Sequence, residues 1–125
     1  MSAVLCSIAT IRITNLRLRT FIGFNPEEQA KPQDVVIQVE IDHLINPGIV
    51  DDEVDAALNY KTITKAIIAH VENGRFLLLE RLVHEVLNIC CTHSAVRRAQ
   101  VTIDKPHALR FADSVAVTLE HKKTD

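Results

Sequence analysis

An α+β domain, with a four-stranded antiparallel sheet and two antiparallel helices on one face, is the fold class that three observations predict. Val35, Ile37, Val39 and Ile41 alternate with Val36, Gln38, Glu40 and Asp42, a period of two that marks a half-buried strand over Gln33–Leu44. Apolar residues then recur at helical spacing in two consecutive stretches, first Ile63, Ile67, Ile68 and Val71, then Leu79, Leu82, Val83, Val86, Leu87 and Cys90. Alternation returns in Ala99–Asp104 and Ser114–Glu120. With an extended stretch at the start, the order is ββααββ, and two helices can cover only one side of such a sheet. The bare side and the free strand edges predict a homo-oligomer.

Each element has its own signal. In the first strand, Ile8–Phe24, Ile11 and Ile13 share a face while Leu16 and Leu18 fall one residue out of phase, so a bulge is expected at Thr14-Asn15. Asn25 to Pro32 carries two prolines and no apolar periodicity, which predicts an exposed loop. Asn46-Pro47-Gly48 ends the second strand, and an acidic stretch leads through Leu58-Asn59-Tyr60 into a helix from about Lys61. That helix should stop at Asn73-Gly74, where glycine can take the left-handed terminating conformation. The second helix spans about Leu78 to Thr92, and Lys105 to Asp113 joins the last two strands.

Composition narrows the function classes. The 125 residues, 47% apolar and 24% charged, suffice for one domain with one core. A net charge of −2 and no basic run interleaved with aromatics argue against nucleic acid as a partner. Residues 1–7 lack both a basic flank and a long apolar segment, so they are expected to be a short disordered lead rather than a signal peptide or membrane span. Three cysteines, two of them adjacent, do not make a disulfide framework and suit the cytoplasm. The six histidines show no metal-ligand spacing, so no metal is expected, and Cys90 reads as core. No glycine-rich phosphate loop is present.

Four residues could carry chemistry, and each has a structural alternative. Glu80 lies on the flank of the most apolar helical stripe, where a partly desolvated carboxylate needs donors from the protein or from a ligand. In the third helical position it could instead close a capping box, but the expected cap, Leu77, has no hydroxyl. Lys105, at a strand end before proline, is either solvated or a proton carrier. Tyr60, the sole phenol, is a packing residue or a hydroxyl donor beside a helix start, and Glu28 is a loop carboxylate.

Together these segments resemble the dihydroneopterin aldolase family, and within it the dihydroneopterin triphosphate 2′-epimerases. The resemblance covers roughly 8–120 and rests on Leu18-Arg19-Thr20-Phe21-Ile22-Gly23, Leu58-Asn59-Tyr60, His70-Val71-Glu72-Asn73, Arg75-Phe76, Leu78-Leu79-Glu80 and Asp104-Lys105. His107-Ala108-Leu109-Arg110 with Ala112-Asp113-Ser114-Val115 is similar to the epimerases, whereas Lys105-Pro106 is similar to the aldolases. The resemblance implies the tunnelling fold, in which sheets of several subunits close a barrel, commonly as an octamer of two stacked tetramers with sites between subunits. It implies a reduced pterin substrate held by Glu80 and Leu79, Glu28 and Lys105 as the catalytic pair, and Tyr60 from the adjacent chain. A triphosphate would meet His107, Arg110 and Arg19 or Arg17. No cofactor is implied. The activities implied are inversion at the 2′ carbon, or aldol cleavage in folate synthesis; a non-catalytic ring binding pterins or purines is the alternative of another class.

Overall fold

The computed structural model describes residues 7–124, so the expected N-terminal lead lies outside the described residues except for Ser7. In chain order the elements are β1 (Ile8–Ile22), α1 (Pro26–Ala30), β2 (Gln33–Leu44), α2 (Pro47–Val50), a 3-10 turn (Val54–Ala56), α3 (Tyr60–Glu72), β3 (Arg75–Phe76), α4 (Leu79–Cys90), β4 (Val96–Pro106) and β5 (Ser114–Lys122). One sheet holds all the strands in the order β3-β1-β2-β4-β5. The four expected strands pair antiparallel. The fifth, β3, runs parallel to β1 through Phe21↔Arg75 and Ile22↔Phe76, so the sheet is mixed rather than purely antiparallel. Two residues are too few for alternation to register in a sequence.

The phase slip in β1 is a bulge. Ile13 pairs with Val39 and Leu16 with Ile37, leaving Thr14 and Asn15 opposite Gln38 alone. Asn15 takes a φ of +56° and its N–H donates to Gln38 Oε1 at 2.8 Å. Beyond the bulge, Leu18, Thr20 and Ile22 face the helices. Val35, Ile37, Val39 and Ile41 of β2 and Val101 and Ile103 of β4 share that face. Ile63, Ile67 and Val71 of α3 and Leu82, Val83, Val86 and Cys90 of α4 close over them, all buried. Each fully buried Leu, Ile or Val contributes about 1.5–3 kcal/mol of transfer free energy. Cys90 belongs to this core, and burial with Cys91 beside it pushes its thiol up to about 12.

Among the described residues the opposite face carries no helix and is polar. Arg98 reaches Glu40 at 3.1 Å, Asp42 at 3.4 Å and Glu120 at 3.1 Å, and Arg12 reaches Glu40 at 3.3 Å. Among the described residues, β5 and the stretch of β1 from Ile8 to Thr20 each have a sheet neighbour on one side only. Among the described residues the sheet thus has one covered face, one bare face and two free edges. No helix of the described residues is long and apolar enough to cross a membrane.

Several boundaries differ from expectation for identifiable reasons. β1 stops at Ile22 because Gly23 turns the chain at a φ of +126°. The loop from Asn25 to Pro32 contains the single turn α1, which Pro26 starts at its first position. Gly74 does not take a left-handed conformation: α3 ends on Asn73 at φ −95°, ψ 0°. Gly74 is needed instead for space, since a Cβ there would overlap the Phe76 ring. α4 begins at Leu79 behind Leu78, because Phe76 is committed to the sheet and Leu77-Leu78 span the step from strand to helix. Glu80 is therefore the second residue of its helix, not the third, and is exposed rather than partly buried.

Candidate active site

Period two along the strands brings the site together. On β4 the core row Val101, Ile103 continues in phase to Lys105, and on β2 the row Ile37, Val35 continues back to Gln33. On β1 the row Leu18, Thr20, Ile22 runs out at Gly23. Polar side chains thus occupy the last rung of the covered face, where burial by α3 and α4 gives way to α1. There Lys105 Nζ is ion-paired with Glu28 Oε2, with side chains only 11% and 21% exposed.

Glu28 is held from several directions. Its Oε1 accepts the Asn25 N–H at 3.4 Å, while the Gln33 side chain, which donates to the Ile22 carbonyl at 2.6 Å, adds to the lowering of the carboxyl. These donors, with Lys105 the strongest, keep the Glu28 carboxyl below its ordinary range although partial burial acts the other way. Gly23 is required beneath it, for a Cβ there would overlap the carboxylate. A fixed carboxylate beside an ammonium is a pair able to move protons between neighbouring oxygens. A cavity of about 180 Å³ opens beside it, lined by Phe21, Gly23, Glu28, Arg75, Phe76 and Leu77. Gln33 was not singled out in the sequence, and Gly23 and Arg75 entered only as parts of the resembling segments, with no role assigned. The signal for Gln33 was present, in its phase with Val35.

Glu80 and Leu79 lie at the start of α4, close to this corner through the backbone. Gly23 N–H donates to the Phe76 carbonyl at 2.9 Å, and Phe76 is four residues before Glu80. Leu79 is half-buried against the core, whereas Glu80 makes no ion pair or side-chain hydrogen bond among the described residues. Tyr60 is not brought to the corner. It starts α3, is 54% exposed, and lies about 18 Å along the helix from Glu72, whose end leads back to the site.

The candidate cations have different surroundings. Arg19 spans Asp34 at 3.1 Å and the Pro32 carbonyl at 3.0 Å, so it ties β1 to the start of β2. Arg17 is exposed on the same strand. Arg110 stacks over the Phe111 ring at 5.0 Å in the loop after β4. His107, at φ +60°, starts that loop and donates its N–H to the Asp113 carbonyl at 3.2 Å. A larger concavity, about 920 Å³, lies elsewhere, between α3 and α4. Its walls include Ala66, Ala69 and Ile89 with the His70–Glu85–Arg81 cluster, and it touches neither Glu28, Lys105 nor Glu80. No cluster of potential metal ligands occurs among the described residues.

Comparison with known proteins bears on what this corner does. The model of the dihydroneopterin aldolase (FolB) family matches residues 11–120. The dihydroneopterin triphosphate 2′-epimerase of Pseudomonas aeruginosa is 52% identical over 112 residues, covering 90% of this chain and 91% of that protein. Among solved structures, Escherichia coli dihydroneopterin aldolase in complex with neopterin superposes with a TM-score of 0.83 at 28% identity, covering 90% of this chain and 98% of that one. Dihydroneopterin aldolase from Burkholderia thailendensis bound to guanine superposes with a TM-score of 0.80 at 25% identity, covering 94% and 93%.

Proposed function

Because the chain belongs to the dihydroneopterin aldolase family, we propose that it inverts the 2′ carbon of 7,8-dihydroneopterin triphosphate, giving dihydromonapterin triphosphate. The observation that carries this reading is the Glu28–Lys105 pair held at the end of the core beside the first turn of α4. Neopterin and guanine, the ligands of the two structural relatives, share an edge on which a ring N–H stands beside an amino group. A single carboxylate accepts both in a charge-assisted pair, and Glu80, exposed and uncommitted, supplies it. Backbone groups of the first helical turn lack intrahelical partners, so Leu79 adds its N–H to the same pocket.

With the ring anchored at Glu80, the side chain at C6 points to Lys105 and Glu28. The dihydropterin C=N bond next to that side chain serves as a built-in imine. Loss of the 2′-hydroxyl proton to the Lys105–Glu28 pair, through water, lets the bond between C1′ and C2′ break. C2′ becomes an aldehyde and the electron pair moves into the ring. Re-addition of C1′ to the other face of the aldehyde restores every atom with C2′ inverted, while escape of the aldehyde and protonation of C1′, assisted by Tyr60, gives aldol cleavage. Neither route needs a lysine Schiff base or an organic cofactor. Arg110 and His107, in the loop after Lys105, are the proposed contacts of the triphosphate, with Arg19 more distant in role because it is engaged with Asp34.

The proposed assembly follows from the edges. β1 and β5 run in opposite directions at the two ends of the sheet, so β5 of one copy set against β1 of the next continues the antiparallel order around a ring. Ligand pockets usually measure about 300–1,000 Å³, and the corner cavity of about 180 Å³ is smaller, which fits a site completed by a neighbour's Tyr60. This is the tunnelling fold, proposed here as an octamer of two rings in the cytoplasm. The test is incubation with dihydroneopterin triphosphate while following chiral pterin products and released aldehyde. Inversion without stoichiometric aldehyde supports the reading. Stoichiometric aldehyde makes the protein an aldolase, and neither product makes it a binding ring.

A further inference from the structure

Glu28 has to stay in place when the substrate arrives. Its carboxylate is paired directly with Lys105, and a substrate hydroxyl that uses both groups must come between them. α1 has no buried residue, so the core does not hold it. Once the pair opens, the turn depends on its remaining tethers. Some are local, among them the Asn25 N–H to Glu28 Oε1 at 3.4 Å and Gln29 Nε2 to the Phe24 carbonyl at 3.0 Å, and another comes from outside the loop. Arg75 donates through Nη1 to the Gln29 carbonyl at 3.3 Å, one residue beyond Glu28. Its guanidinium also lies 3.8 Å from the centre of the Phe21 ring, its register partner across β1 and β3. A planar cation packed on an aromatic face and hydrogen-bonded at its edge has little freedom left. The short strand β3 thus sets Arg75 as a strut between the sheet and the Glu28 turn.

We propose that Arg75 is a positioning residue: it fixes the Glu28 turn independently of Lys105, so that Glu28 keeps hold of the cleaved aldehyde until it re-adds. This rests on the epimerase reading. The retro-aldol step leaves a fragment with no covalent tie to the ring, and its fate is a race between escape and re-addition. The pair that took the 2′-hydroxyl proton can give it back as a hydrogen bond to the aldehyde oxygen, which slows escape only while Glu28 stays fixed, and a misplacement of about 1 Å can cost as much as a hundredfold in rate. Phe21, as the surface on which Arg75 rests, acts at one further remove.

The experiment measures epimer formed and aldehyde released, per turnover, for the wild-type protein, Arg75→Ala and Phe21→Leu. Arg75→Ala is expected to lower kcat about tenfold, with KM changed less than about threefold, and to raise the ratio of aldehyde to epimer several-fold. Phe21→Leu, which removes the stacking face and leaves the arginine its reach to Gln29, shifts the ratio the same way by less. A ratio does not depend on how much protein is folded, so partial misfolding cannot imitate the result, and Phe21→Leu serves alone if Arg75→Ala does not fold. An unchanged ratio in both variants overturns the proposal. If the wild-type protein itself forms no epimer, the epimerase reading fails first; an unaltered cleavage kcat in Arg75→Ala would then overturn the positioning role as well.

Discussion

The Glu28–Lys105 corner and the Glu80 turn stand at the same end of the sheet, and they are built in opposite ways. Glu28 is sheltered and receives Lys105 and the Asn25 N–H within its own chain. Glu80 is exposed, and no donor meets it among the described residues. A group that must move protons benefits from being fixed as the chain folds, since its surroundings then need no rearrangement during reaction. A group that must bind gains from remaining uncommitted, because donors already bonded to it would have to be displaced by the ligand. The ion pair is therefore assembled within this chain, whereas Glu80 is left open, and in the proposed function that opening takes the ligand.

Lys105→Met is the severest way to break this comparison. It removes one member of the fixed pair without removing its bulk, and kcat should fall by about 10²–10⁴, the usual range for a lost general acid or base. Pterin affinity, measured by fluorescence titration, should change only a few-fold because Glu80 is untouched. Retention of the rate would move the chemistry away from the corner. The reciprocal change, Glu80→Gln, keeps the shape and removes the charge. It should weaken pterin binding by about 10- to 100-fold, corresponding to about 1.5–3 kcal/mol for hydrogen bonds to a charged acceptor. Melting temperature and elution volume should stay as in the wild-type protein; collapse of the assembly would make Glu80 a structural residue instead.

How far this division could be read from the sequence depends on the range of the signal. The alternation of β2 and the apolar stripes of α3 and α4 are repeated many times over, so the covered face was legible, and the phase slip gave away the bulge at Asn15. β3 was not, because two residues make no pattern, and Arg75, quoted only within a resembling segment, had no role assigned. The meeting of Glu28 with Lys105 joins residues far apart in the chain, and no spacing rule connects them; only resemblance suggested it. The expected partial burial of Glu80 failed because helical periodicity assigns a residue its face but not its distance from the end. At the second position of α4, the flank of the stripe is already beyond the edge of the core. Gly23 and Gly74 carry a similar lesson, since what each makes room for lies in side chains that local patterns do not include.

The smallest expected effect sharpens the comparison by titration. Lys105 is the main reason the Glu28 carboxyl lies below its ordinary value of 4.5, so as pH falls the unfolded chain takes up this proton before the folded one. The stabilisation from the pair is fully present above the ordinary value and is lost as pH drops through the folded one. In Lys105→Met the folded carboxyl returns towards 4.5 and this acid-sensitive contribution shrinks. The stability difference between wild-type and variant, followed by chemical denaturation from neutral to acidic pH, should be constant above the ordinary carboxylate range and shift against the wild-type protein below it. A Lys105→Met curve that ran parallel to the wild-type one would mean that Glu28 is held by Asn25 rather than by the lysine.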